Sequence, residues 1–209
     1  MIKPALEYLE PESFEQYLEG WSSCSRCPLS ETRKGRPVFG KGAIHKPGIL
    51  FVGEAPGGQE EIENEVFVGR TGQMLFDVLW MLDIDHTRHR YTNVVMCRPP
   101  DLDNPKKNRS PTPAEIGPCK ERLLEEIYYC DPYLVVALGG VASKALGGST
   151  CSVTAYRGEF VDISIPSRVQ GSLTYPMLVT WHPAHVLRRI DYRIGDNLPV
   201  IDNFAKIFF

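Results

Sequence analysis

At 209 residues the chain is long enough for one ordinary α/β domain and too short for two. Hydrophobic residues make up 43% and charged residues 23%, and no apolar run approaches the ~20 residues that a membrane-spanning helix requires, so a soluble globular protein is expected. The net charge of -3 excludes histone-like binding through a uniformly basic surface but leaves room for local grips on a few phosphates.

The first stretch, MIKPALEYLEPESFEQYL, is acidic and lacks the basic start and apolar run of a secretory signal, which makes the cytoplasm the expected location. A Cys-x-x-Cys pair, Cys24 and Cys27, follows in WSSCSRCPLSETR. Such a pair serves redox, zinc and cluster sites alike, but here it stands outside the strand-then-helix setting of a thioredoxin-like site. GILFVGEAPG reads as a buried strand ending in a tight loop. TGQMLFDVLWML carries Met74, Leu75, Val78, Leu79 and Leu82 at helical spacing. YTNVVMC predicts a second buried strand with Asn93 and Cys97 near its ends, and a polar, Pro-rich loop runs from Pro99 to Pro113.

PAEIGPCKERLLEEIYYC reads as a helix bearing Cys119 and Cys130, PYLVVALGG as the clearest strand, and VASKALG as a short helix behind it. FVDISI and YPMLVTWHP are the last strands, HVLRRI starts a terminal helix, and DNFAKIFF closes the chain. Strands alternating with helices predict a single three-layer α/β/α domain over residues 1–209 with a mostly parallel central sheet. That topology gathers GEAPG, NVVMCRPP and WHPAH at the carboxyl ends of strands, where open sheets of this kind bind ligands. No Walker phosphate loop and no GxGxxG pattern occurs, so nucleotide hydrolysis and dinucleotide redox chemistry lose support.

Six cysteines without an export signal read as metal ligands, buried small hydrophobes or redox thiols rather than a disulfide framework. Two basic clusters, Lys106 with Lys107 and Arg109, then Arg188 with Arg189, are candidates for phosphate contacts and equally plausible as solvated surface.

Taken in order, the Cys pair, GEAPG with its trailing acids, FVGRTGQML, TNVVMCRPP, a cysteine on the following helix, LVVALGGVASKALGG, YRG and HPAHVLR resemble the uracil-DNA glycosylase superfamily. The closest likeness is to its family-four branch, whose members carry a 4Fe-4S cluster, and it runs from about Ser23 to Arg189. The resemblance implies a monofunctional enzyme of base excision repair that hydrolyses the N-glycosidic bond of flipped-out deoxyuridine, releases uracil and leaves an abasic site. Lyase activity is not expected, because no lysine sits in a recognisable nucleophile position. Uracil-containing DNA, single- or double-stranded, is the implied partner, with no membrane involved and the chain acting as a monomer.

Such chemistry takes the base out of the helix and places donors where charge grows on uracil O2 as the bond breaks. The resemblance makes His182 that donor and Glu54 the carboxylate that positions water, with Glu60 and Glu61 in reserve; one of these two is also a candidate for crowding the C5 edge of the base. Gly53 brings the backbone close to the substrate, and Ala55 stands where the best-known branch has an aspartate. Phe67 would stack on the base, and Asn93 would read the N3 hydrogen and O4 of uracil, a pattern reversed on cytosine. Val186 and Leu187 would wedge into the DNA, and Arg188 would reach phosphate.

Cys24, Cys27, Cys97 and Cys119 match the cluster ligands; four thiolates suit zinc or a 4Fe-4S cluster, and the resemblance favours the cluster, in a structural role. The 21 residues between Cys97 and Cys119 exceed the family's usual gap, with DLDNPKKN as the inserted stretch and Cys130 as the alternative ligand. Cys151 is expected to be a free thiol, and His45, His86 and His89 to lie at the surface, while His185 has no assigned role. A related branch traps abasic DNA through a histidine in the loop after the TN strand; CRPPDLDNPKKNRSPT has none. The rivals are a noncatalytic cluster-bearing DNA-binding subunit and a structural zinc module.

Overall fold

The computed structural model of the chain describes residues 13–167 and 171–185. Its sheet comprises β1 (Lys41–Gly42), β2 (Ile49–Gly53), β3 (Arg90–Asn93), β4 (Leu134–Leu138), β5 (Phe160–Ser167) and β6 (Gly171–Thr180), in the spatial order β1-β3-β2-β4-β6-β5. The inner strands β3, β2, β4 and β6 run parallel, while β1 and β5 pair antiparallel at the two edges. The helices are α1 (Phe14–Ser22), α2 (Leu29–Thr32), α3 (Gly58–Glu63), α4 (Arg70–Met81), α5 (Pro113–Cys130), α6 (Gly140–Gly147) and α7 (Val153–Tyr156). Among the described residues no helix is long and apolar enough to cross a membrane.

The alternation of side chains along each strand sorts the core into two layers. Leu50 and Val52 of β2, Val135 and Ala137 of β4, and Met177 and Val179 of β6 face Leu123 and Ile127 of α5 and Ala142 and Ala145 of α6. Phe51, Val136, Leu138 and Leu178 face the other way, onto Met74, Leu75, Val78 and Leu79 of α4. Helices cover both faces, so ILFVG and LVVAL are apolar throughout instead of alternating with polar residues. This is the expected three-layer α/β/α arrangement.

The strand expected over YTNVVMC is shorter than its apolar run. β3 ends at Asn93, where its neighbour β2 ends at Gly53, and Val94 to Cys97 continue as buried non-strand backbone. The Val94 and Val95 N–H groups donate to the Gly53 and Glu54 carbonyls at 2.9 and 3.2 Å, so the segment stays tied to the loop after β2. Apolarity signalled burial there, and burial alone does not extend a ladder. His89 also departs from the surface expectation: it is half-buried, and its Nδ1 accepts from the Ile49 N–H at 3.1 Å where β2 begins.

α1 begins at Ser13, whose hydroxyl accepts from the Gln16 N–H at 3.2 Å, and buries Tyr17 and Trp21 beside Met96. The Trp21 indole N–H donates to Glu125 of α5 at 2.6 Å. Burial pushes the Glu125 carboxyl up to about 7, against the opposing pull of the Trp21 bond and of Arg26. Between about pH 4.5 and 7 the folded chain therefore keeps a proton that the unfolded chain has lost, so this group's contribution to stability falls as pH rises through that window and is lost above it. Glu125→Gln keeps an acceptor for Trp21 without the ionisation. Its advantage over wild type in urea unfolding is expected to grow by on the order of 2 kcal/mol from about pH 5 to about pH 8; an equal difference at both would show that Glu125 does not titrate in this range.

Candidate active site

At the carboxyl ends of β2, β3 and β6 lies a cleft of about 340 Å³, near the lower end of the ~300–1,000 Å³ usual for small-molecule sites, lined among others by Glu54, Ala55, Phe67, Asn93, Arg109 and His182. Gly53 and Asn93 are register partners at the ends of β2 and β3. A Cβ at position 53 would stand 2.3 Å from Asn93 Oδ1 and 3.1 Å from Phe67 Cζ. The missing side chain is what lets the carboxamide and the ring share this corner. Phe67 has φ of 56°, a left-handed backbone that bulky residues rarely adopt and that costs about 1–3 kcal/mol. Its ring is buried, edge-on to Tyr91 at 5.9 Å, so it belongs to the core and to the cleft wall at once.

His182 follows β6. Its Nδ1 accepts from the Ala184 N–H at 3.2 Å, which requires a lone pair on that nitrogen and leaves the ring proton on Nε2. Gly139, at φ of 92°, turns the chain out of β4 where a Cβ would come within 2.8 Å of His182 Cβ. Trp181 and His185 stack at 4.3 Å and 12°, and the His185 N–H donates to the His182 carbonyl at 2.8 Å, which fixes the turn after the strand. His185 thus supports the turn and is not part of the cleft wall.

The acids behind GEAPG divide by geometry. Both oxygens of Glu60 accept backbone N–H groups, from Gly57 and Gly69, each at 3.0 Å. Glu61 accepts from the Lys34 N–H at 3.2 Å and pairs with Arg98 at 3.4 Å. These two hold the loops around the cleft together; Glu60 also lines it, with Glu54 and Ala55, and Glu61 does not.

Beneath Asn93 lies a buried charge cluster that sequence reasoning missed. Arg122 Nη2 donates to the Asn93 carbonyl and, at 3.2 Å, to the Val94 carbonyl. Its Nη1 donates to Thr92 Oγ1 at 2.9 Å and to Glu126 at 2.5 Å, and Arg90 Nε donates to the other Glu126 oxygen at 2.7 Å. Burial alone would raise the Glu126 carboxyl, but Arg90 and Arg122 together with the Thr92 hydroxyl hold it below the usual range. In sequence Arg122 and Glu126 look like a solvated i,i+4 pair. The available signal was their spacing from Cys119 and Cys130, which puts all four on one side of α5, and all four are buried.

The cysteines separate in the same way. The closeness of the Cys27 and Cys119 thiols lowers Cys27 to about 6 and raises Cys119. Cys97 feels the charges of Cys24 and Cys27, and Arg33 Nη1 reaches Cys97 Sγ at 3.8 Å and the Cys24 carbonyl at 2.7 Å. Cys130 instead lies beside Arg90 and Glu126, its thiol pushed up to about 12 by burial. Cys27 thus neighbours both Cys119 and Cys97, and Arg33 ties Cys97 to the Cys24 backbone. Among the described residues no three Cys, His, Asp or Glu side chains are arranged around a single metal ion. A cubane, being larger than one ion, holds its thiolates further apart. All six cysteines are free of disulfides.

The profile of the Uracil DNA glycosylase superfamily matches residues 39–194. The chain belongs to that superfamily. Within it, a Type-4 uracil-DNA glycosylase of Thermotoga maritima is 36% identical over 182 residues, 87% of this chain and 86% of the relative. The Type-4 enzymes of Pyrobaculum aerophilum and Archaeoglobus fulgidus are 35% and 33% identical, over 80% and 87% of this chain and 81% and 87% of the relatives. Of the residues expected to serve a glycosylase, Glu54, Ala55, Phe67, Asn93 and His182 line the one cleft, and Gly53 sits against two of them. Val186, Leu187 and Arg188 lie outside the described residues.

Arg122→Met keeps bulk but leaves Glu126 and the Asn93 carbonyl short of their partner. It is expected to lower the unfolding free energy by about 3–5 kcal/mol in denaturant titration, far above the ~0.3–0.5 kcal/mol of an exposed i,i+4 pair.

Proposed function

We propose that the chain is a monofunctional uracil-DNA glycosylase of the Type-4 kind, forming a single domain and acting as a monomer on uracil in single- or double-stranded DNA. The observation that carries this reading is the meeting of Asn93, Phe67 and His182 in one cleft at the strand ends. The flipped base lies against Phe67, which replaces part of the stacking lost on extrusion. Asn93 Oδ1 accepts from uracil N3–H and its Nδ2 donates to O4; cytosine offers an acceptor and a donor in the reverse order and leaves both unpaired.

As the bond between C1′ and N1 breaks, negative charge grows on uracil O2. The His182 Nε2–H donates to it there, which stabilises the departing anion more than the bound base. The ring does this while neutral, since its Nδ1 is occupied as an acceptor. Glu54 orients a water toward the electron-poor C1′ and takes its proton as the new C–O bond forms. Val186 or Leu187 fills the space left in the DNA, and Arg188 meets a phosphate.

Cys24, Cys27, Cys97 and Cys119 would hold a 4Fe-4S cluster, with Arg33 beside it as counter-charge. When bound, the cluster supplies a covalent staple between the N-terminal segment, the chain after β3 and α5, and hydrolysis of an N-glycosidic bond asks no electron transfer of it.

Incubation with oligonucleotides bearing one uracil, followed by alkali cleavage, should give strand breaks at the uracil. His182→Ala is expected to lower kcat by about 10²–10³-fold, as loss of an oxyanion donor generally does. Asn93→Asp should lose most activity because one donor becomes an acceptor facing O4. Purified protein should be brown, with iron and acid-labile sulfide in equal amounts, and Cys119→Ser should lower both. Unchanged rates in the first two variants would refute the roles given to His182 and Asn93; a colourless protein holding only zinc would refute the cluster.

A further inference from the structure

The stretch after Cys97 is a built finger at the mouth of the cleft. The Asp101 N–H donates to the Lys107 carbonyl at 3.0 Å, the Arg109 N–H to the Pro99 carbonyl at 3.1 Å, and Pro100 and Asn108 form an antiparallel bridge. At the tip, Asp101 Oδ1 accepts from the Asp103 and Asn104 N–H groups at 3.1 and 2.8 Å. Arg98, only 6% exposed, runs up the inside, donating to Asn108 Oδ1 and the Pro105 carbonyl at 2.6 Å each and to the Lys107 carbonyl at 3.1 Å. The feet are pinned as well, Arg98 to Glu61 at 3.4 Å and Arg109 to both oxygens of Glu115 at 2.6 and 2.8 Å.

The feet, Pro99, Asn108, Arg109 and Ser110, line the cleft, so the tip rises from its rim. The tip carries what the feet do not use. Leu102 is 86% exposed, and Lys106 and Lys107 are exposed with no side-chain ion pair among the described residues. Arg109 is paired with Glu115, and Asp101, whose Oδ1 accepts two backbone amides, and Asp103 are the acids that share the tip with the two lysines.

We infer that this finger, residues 99–110, is a second DNA-binding element: Lys106 and Lys107 take phosphates of the uracil-bearing strand, and Leu102 packs on the sugar and base edge next to the flipped nucleotide. The inference rests on the glycosylase reading of the adjoining cleft. A chain of net charge -3 gains little from its overall field, so local cations at the cleft mouth must supply the grip on phosphate. The hydrogen bonds through Arg98 hold the finger in place before DNA arrives, which avoids the ordering cost of a slack loop.

The test uses the full chain with its cluster and labelled duplexes with and without one uracil, titrated across salt. The Lys106→Gln/Lys107→Gln double variant should reduce the slope of log K against log[salt] by about 1.8, or 0.9 per phosphate contact, and raise KM by about tenfold with kcat and affinity for free uracil retained. Asp103→Asn should bind DNA more tightly, and Leu102→Ser should raise KM without changing the salt slope. A wild-type slope in the double variant would overturn the proposal, as would loss of free-uracil binding, since the finger would then act only as a wall of the cleft. Because the slope is also read on uracil-free DNA, wild-type protein that binds but never excises would sink the glycosylase reading alone. Normal excision with an unchanged slope in the double variant would sink the finger alone.

Discussion

Glu126 lies fully buried with Arg90 on one side and Arg122 on the other, and the ion pair with Arg90 depends on the present spacing of α5 and β3. An ionised carboxylate in that position is tolerable because two guanidiniums and the Thr92 hydroxyl replace water around it. The same Arg122 spends its other nitrogen on the Asn93 and Val94 carbonyls, where the strand ladder stops and those groups would otherwise lack partners. The charge cluster therefore fixes the backbone from which the Asn93 amide projects.

The cleft itself follows from strand ends that stop in register. β2 and β3 finish side by side at Gly53 and Asn93, and the next strands deliver Gly139 and His182 close by. Side chains at the two glycines would occupy the space of Asn93 and His182, so the pocket depends on what is missing as much as on what is present. Phe67 is held in a left-handed conformation at the cleft wall, a strain the two-sided core sustains. A rigid scaffold of this kind suits a site that must meet an extruded base in one geometry.

α5 joins two parts of the molecule that the chemistry keeps separate. Cys119 stands on the same side of the helix as Arg122, one turn earlier, and its thiol meets Cys27 from the N-terminal segment. A group bound by the cysteines would thus brace the helix that holds Asn93. That gives the proposed cluster a structural purpose in a reaction without electron transfer.

Local residue chemistry made much of this legible in advance. Apolar runs of strand length and the 3.6-residue spacing of α4 come from short-range periodicity, and GEAPG, TNVVMC and HPAH mark strand ends because Gly, Pro and Asn are punctuation at that scale. The three-layer fold, and the gathering of GEAPG, Asn93 and His182 at strand ends, were therefore readable from the chain alone. Where β3 stops, which acids brace loops, which cysteine meets Cys27, and that Arg122 and Glu126 are buried were decided only by the fold. Most of those outcomes depend on partners 27 to 92 residues away in the chain, as with Lys34 and Glu61 or Cys27 and Cys119, and an i,i+4 charge pair looks the same in sequence whether it faces water or the core. Tertiary packing sets the dielectric around such groups, and the dielectric decides whether a charge is ornament or framework.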